Sequence, residues 1–145
     1  MSESSSRRID YQSLADFRYE IRRFLNFSEA AARAAGIEPQ QHQALLSIKG
    51  RGLGVETTVG ALAERLQVRH HTAVELSRRL EARGWIRRSR SGSDGRKVDL
   101  GLTRRGEALL KKLSIAHHDE LRTAGPRLIA ALQSIVAHNG KQRTR

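Results

Sequence analysis

The sequence predicts a mainly α-helical chain with one small β-hairpin, an α+β arrangement. Three observations predict it. Apolar residues recur at three- and four-residue steps over most of the chain. The segments "WIRRSR" and "KVDLGL" break that period, alternate like strands, and flank the Gly/Ser loop "SGSDG". The chain, 145 residues at 38% hydrophobic and 29% charged, is long and apolar enough to bury one core.

The elements follow in order. Residues 1–7 and 141–145 are polar and read as flexible tails. A long first helix starts at Asp10, a residue suited to cap it, and stops at Gly36, where a left-handed residue can end it. Its stripe is Leu14, Phe17, Ile21, Phe24 or Leu25, and Ser28. Pro39 suits a first helical position, so "PQQHQALLSIKG" reads as a second helix ending at Gly50. After "RGLG", "TTVGALAERL" is a third, capped by Thr57 or Thr58, with Leu62, Ala63 and Leu66 facing inward. A fourth runs from about Arg69 to Arg83 and stops at Gly84. After the hairpin, Thr103 caps "RRGEALLKKLSIAHHDEL". Gly125-Pro126 then starts a last helix with the stripe Leu128, Ala131, Leu132, Ile135 and Val136. Two short helices separated by a tight turn and followed by a basic hairpin describe a winged helix-turn-helix.

Charge is concentrated in that part of the chain. Residues 1–38 carry six basic and six acidic groups, and residues 39–64 two of each. Residues 65–105 carry twelve Lys/Arg against four Asp/Glu, net +8, out of +12 for the whole chain. A balanced N-terminal part beside one intensely basic stretch implies a polyanion-binding surface.

On the 69–83 helix, Ala73, Leu76 and Leu80 form a narrow buried stripe. His71, Glu75 and Arg78 lie opposite, flanked by His70, Thr72, Val74 and Arg79. Any surface helix has a polar outer face. This one is second in a helix-turn-helix and opens with Arg69-His70-His71-Thr72, where side chains reach base edges in the major groove. Glu75 repels phosphate but could accept from a cytosine amino group. Arg78 and Arg79 suit phosphates. In the wing, residues 88–97, alternation puts Arg88 and Arg90 on one face, and Arg96 and Lys97 lead out. Such a tip can enter the minor groove. Asp94 would orient Arg96 through a charge-assisted hydrogen bond.

Other chemistries find little support. There are no cysteines, hence no disulfide, thiol switch or thiolate metal site. His70-His71 and His117-His118 are adjacent pairs that diverge by about 100° on a helix, too far apart to chelate one ion. A site assembled from His42, His117 or His118 and Glu20, Asp119 or Glu120 is the weaker reading of those histidines. No nucleophile elbow, phosphate-cradling loop or HExxH occurs, so neither an enzyme nor a cofactor is expected. No run of about 18 apolar residues occurs and the N-terminus lacks an apolar core, which points to the cytoplasm.

The segments "EPQQHQALLSIKG", "TVGALAERLQV", "HTAVELSRRLEARGWIRR", "SDGRKVDLGLT" and "TRRGEALLKKL" resemble, in order and spacing, the MarR family of bacterial transcriptional regulators. The match runs over roughly residues 10–138. The resemblance implies one MarR-type domain at 8–140, with a winged DNA-binding part at 38–103. Residues 8–37 and 104–140 would form a discontinuous dimerisation part interleaved between subunits. It also implies a homodimer on a pseudo-palindromic DNA operator, repression, and release by a small, often aromatic or phenolic, anion. Three positions depart from the family pattern. Gln67 stands where the helix-turn-helix commonly has glycine, Gly95 where a basic residue is frequent between Asp94 and Arg96, and Glu38 where a hydroxyl cap is usual. The absence of cysteine excludes the family's thiol-based peroxide sensors. The competing reading is a nucleoid-type or RNA-binding module that uses the same basic surface without sequence preference.

Overall fold

The structure, a computed structural model, describes residues 8–51, 57–91 and 95–141. The elements in order are α1 (Tyr11–Ala34), α2 (Pro39–Lys49), β1 (Thr57–Thr58), α3 (Val59–Leu66), α4 (His70–Ala82), β2 (Ile86–Ser91), β3 (Lys97–Leu102) and α5 (Arg104–Lys141). The α+β reading holds: helices dominate, beside one small antiparallel sheet. Among the described residues no helix is long and apolar enough to cross a membrane.

The helix ends form where capping chemistry places them. Asp10 starts α1: its carboxylate accepts from the Ser13 backbone N–H at 3.0 Å and from the Ser13 hydroxyl at 2.7 Å. Those bonds, the backbone one first, hold the Asp10 carboxyl below its ordinary value. Gly36, at φ 81°, ends α1, with Gly36 N–H donating to Arg33 O and Ile37 N–H to Ala32 O. That pair of bonds is a Schellman closure, which needs the left-handed residue glycine supplies without strain. At α2, Glu38 N–H donates to Gln41 Oε1 at 3.0 Å, the back-reaching half of a capping box, which satisfies the N-cap residue's own amide.

Two expectations are corrected. The sheet has three strands, ordered β1-β3-β2, rather than a two-stranded ribbon. Thr57 opposes Leu100, and Thr58 opposes Asp99. Two residues are too few to show alternation, and either threonine reads as the helix cap. Thr58 does cap α3, its hydroxyl accepting from Ala61 N–H at 3.1 Å. Thr57 is buried, and its hydroxyl donates to Ile48 O at 3.2 Å. The second correction concerns Gly125-Pro126, which starts no new helix: α5 runs unbroken through Pro126. Proline removes one helix hydrogen bond. Packing on either side offsets that loss, with Ala124 and Ala131 buried and Arg127 Nε 3.4 Å from Glu20 Oε2.

The described chain divides into two compact units. One spans Glu29–Ala116; the other combines the chain up to Ser28 with the chain from His117. In the first, Leu45, Leu62, Leu80 and Ile86 are completely enclosed, joined by Ala73, Leu76, Trp85, Leu100, Leu102, Leu110 and Leu113. The inward stripe read on the fourth helix, Ala73, Leu76 and Leu80, is thus core. Each large side chain there contributes about 1.5–3 kcal/mol of burial. In the second unit His117 Nε2 and the Ser28 hydroxyl share a 2.8 Å hydrogen bond. The Phe24 and Phe27 rings meet the His117 imidazole edge-on. His138 Nε2 donates to Arg8 O at 2.8 Å.

Candidate nucleic-acid interface

The helix-turn-helix is built by α3, a tight turn and α4. Gln67 occupies the turn at φ 56° and ψ 43°, the only left-handed non-glycine backbone among the described residues. Its amide side chain bonds back to Glu64 O at 2.8 Å, and Val68 N–H closes onto Ala63 O. Gln67 therefore keeps the glycine geometry and accepts the strain, of order 1 kcal/mol.

That turn sets the pitch of α4, whose N-cap is Arg69. His71, Glu75, Arg78 and Arg79 are exposed, opposite the buried Ala73, Leu76, Ser77 and Leu80. At 100° per residue His71, Glu75 and Arg78 fall within one narrow sector, with Arg79 at its edge. Glu75 forms no ion pair with a described residue, although Arg78 and Arg79 follow it at the favourable i+3 and i+4 spacings. Thr72 is half-buried on one flank. His70 is exposed on the other flank, the one it shares with Val74, about 100° around the helix from His71.

The wing is fixed at its root. Gly84, at φ 76°, ends α4, and Trp85 N–H reaches back to Leu80 O. Thr103 N–H donates to Trp85 O at 3.0 Å, and its hydroxyl to Gly84 O at 2.6 Å. The Thr103 hydroxyl also accepts from Gly106 N–H, capping α5 as its sequence position suggests. Arg83 stacks over Trp85 with its guanidinium carbon 4.5 Å from the ring centroid, and donates to Gly36 O at 3.3 Å. β2 pairs with β3 from Ile86↔Leu102 to Ser91↔Lys97.

Alternation along β2 sorts the arginines. Arg87 Nη2 lies against Gly101, and its charge reaches Glu107 at the start of α5. Arg88 takes the opposite face and lines a cleft of about 320 Å³ with Thr58, His70, Val74, Arg96 and Lys97. Arg90 is exposed. Gly92, Ser93 and Asp94 lie outside the described residues, so the expected Asp94–Arg96 pair does too.

Sequence reading missed Glu81. Its Oε2 accepts from the backbone N–H of Arg88 at 3.1 Å, tying the last turn of α4 to the wing strand. Its position in "LEARGWIRR" was the available signal. No group of three or more His, Asp or Glu side chains that could hold a metal occurs among the described residues.

Comparison with known proteins agrees with this geometry. Residues 35–97 match the model of the MarR family. The multidrug-efflux regulator MepR of Staphylococcus aureus is 20% identical, with a TM-score of 0.69 over 94% of this chain and 98% of its own. A MepR variant solved bound to an oligodeoxyribonucleotide is also 20% identical, with a TM-score of 0.65 over 90% of this chain and 98% of its own. AbsC, a MarR family transcriptional regulator from Streptomyces coelicolor, is 18% identical, with a TM-score of 0.67 over 94% of this chain and 99% of its own. No curated protein matches the chain in sequence. Residues 35–97 thus match the MarR family model, and the chain has the fold of the solved MarR-family transcription regulators it resembles.

Proposed function

We propose that the chain is a homodimeric, sequence-specific DNA-binding transcriptional regulator, acting as a repressor. The observation that carries this reading is the outer face of α4. It holds two cations, an imidazole and a carboxylate with no ion pair among the described residues, projecting from the second helix of a helix-turn-helix. A surface that only attracted polyanions would gain nothing from Glu75, whereas base readout can use an acceptor. In this reading α4 enters the major groove with His71 and Glu75 at base edges and Arg69, Thr72, Arg78 and Arg79 on the backbone. The wing places Arg90, Arg96 and Lys97 along the minor groove, with Asp94 orienting Arg96. The MepR variant bound to an oligodeoxyribonucleotide supports DNA as the polyanion.

The winged part, 38–103, is the DNA reader, and residues 8–37 with 104–140 join the two copies. Supporting this, Leu14, Tyr19, Leu25, Ile129, Leu132 and Val136 are 44–63% exposed, a concentration of large apolar side chains that a second copy would cover. The resemblance to the family adds release by a small, often aromatic or phenolic, anion.

Selection of bound duplexes from random DNA tests the proposal. It requires a pseudo-palindromic site that outcompetes bulk DNA by roughly 10³-fold or more at physiological salt. Recovery of no motif would assign the surface to non-specific nucleic-acid binding. Light scattering at micromolar concentration tests the dimer.

A further inference from the structure

We infer that Glu81 is a positioning residue for DNA binding: its carboxylate sets the angle of the wing to α4, so that the flank of a site is read in step with its centre. The inference rests on the DNA-binding reading above and adds to it a residue that itself touches no DNA.

By charge alone Glu81 is out of place. It is exposed in the last turn of α4, with Arg78 and Arg79 before it and Arg83, Arg87 and Arg88 after it. A carboxylate in so basic a stretch weakens the pull on a polyanion. At 100° per residue it stands about 60° from Arg78, beside the sector read as the recognition face. It forms no ion pair among the described residues. Its Oε2 instead accepts from the backbone N–H of Arg88, 3.1 Å away.

That bond falls at a pivot. The sheet order β1-β3-β2 leaves β2 on the outer edge, and the Arg88 N–H points off that edge rather than into the ladder with β3. The root of the wing is held independently of Glu81, by the Thr103 bonds to Trp85 O and Gly84 O and by the stacking of Arg83 on Trp85. Ile86 is enclosed, but Arg87, Ser89 and Arg90 are exposed and Arg88 is half-buried. Past the root, burial no longer fixes where the strand goes, and the bond from α4 supplies its direction. Arg88 is also the residue whose side chain turns into the cleft beside α4, so holding its amide aims its guanidinium. A wing ordered before DNA arrives spares the complex the cost of ordering it. Minor-groove contacts gain most, because they depend on where an arginine enters a groove of given width.

Two conservative substitutions in the full-length chain separate the hydrogen bond from the charge. Glu81→Gln removes the charge and keeps a carbonyl oxygen at the same reach. Glu81→Asp keeps the charge and falls short by one methylene. Hydrogen exchange of the Arg88 amide, followed by NMR without DNA, should stay slow in the unmodified and Gln proteins and be about tenfold faster in the Asp protein. Fluorescence anisotropy then measures affinity for the selected operator carrying either A·T-rich or G·C-rich flanks, at one salt concentration. The unmodified protein should prefer the A·T-rich flanks, and Glu81→Gln should keep that preference and bind at least as tightly. Glu81→Asp should bind the A·T-flanked operator about two- to tenfold more weakly per subunit, the worth of one hydrogen bond. It should also lose the flank preference while keeping the central base pairs preferred under α4. Three results overturn the proposal while leaving DNA binding intact: no flank preference in the unmodified protein, its loss in Glu81→Gln, or its persistence in Glu81→Asp. If the unmodified protein preferred neither operator to bulk DNA, the underlying reading would fail and the proposal with it.

Discussion

Alanine at Gly106 should destabilise the protein by about 2–3 kcal/mol, although helix propensity alone points the other way. Gly106 lies in the first turn of α5, where replacing glycine by alanine is worth at most about 1 kcal/mol in favour of the variant. The site leaves no room for the methyl group. A Cβ there would sit 2.9 Å from the carbonyl carbon of Trp85 and closer still to its oxygen. Both are backbone atoms and cannot rotate aside. Overpacking of this kind costs roughly 1–3 kcal/mol. Moving α5 away would also strain the Thr103 N–H bond to Trp85 O and the Thr103 hydroxyl bond to Gly84 O. Losing one of them costs about 1 kcal/mol more. Urea unfolding followed by circular dichroism reads the change as a lower midpoint at unchanged slope. Gly60→Ala is the control. Its nearest contact, the Thr58 hydroxyl, is an ordinary 3.8 Å away, so that variant should be equal to the original or more stable by about 0.5 kcal/mol. A Gly106→Ala protein as stable as the Gly60→Ala one would refute the steric argument.

Four further outcomes are expected. Gln67→Gly should raise stability modestly, by about 0.5 kcal/mol, because relief of left-handed strain outweighs the exposed bond to Glu64 O and the extra freedom of the unfolded chain; thermal unfolding checks it. Glu107 is held below its ordinary value by the 2.8 Å bond from Lys49 Nζ, so it contributes stability above about pH 4.5 that is lost as pH falls through the lowered value. Acid titration of Lys49→Met should therefore show a shallower loss in that window. The dependence of log affinity on log salt should have a slope of roughly −7 for a dimer that neutralises about four phosphates per subunit, and a slope near −2 would remove the basic stretch from the interface. Arg96→Ala should weaken operator binding by about 1–3 kcal/mol, and Asp94→Ala should weaken it too if Asp94 aims Arg96, whereas simple phosphate attraction demands tighter binding; fluorescence anisotropy decides the sign.

The sequence was most legible where one physical rule acted alone. Period 3.6 on α4 separated Leu76 and Leu80 from Glu75 and Arg78 without further information. The αL position of Gly36 and the caps at Asp10 and Thr103 likewise followed from local chemistry. Legibility failed where tertiary contacts decided. Pro126 reads as a helix start, yet α5 continues because Ala124, Ala131 and Arg127 are anchored on either side of it. Thr57 reads as a cap and is a buried strand residue, because β3 arrives from forty residues away to pair with it. The departure of His70 from His71 was implicit in their 100° separation, but only the position of the wing shows what lies on that side. Glu81 was visible as a motif letter, with nothing in the motif to say that it receives the Arg88 amide.

Thr58 belongs to two structures at once, a strand partner of Asp99 and the cap of α3. Peeling the inner edge of the wing away would pull that residue out of place and uncap the first helix of the reader. The two are therefore one unit of local opening. Amide protons of β3 and of the first turn of α3 should exchange with solvent in a single correlated event, while the outer strand β2 opens by itself.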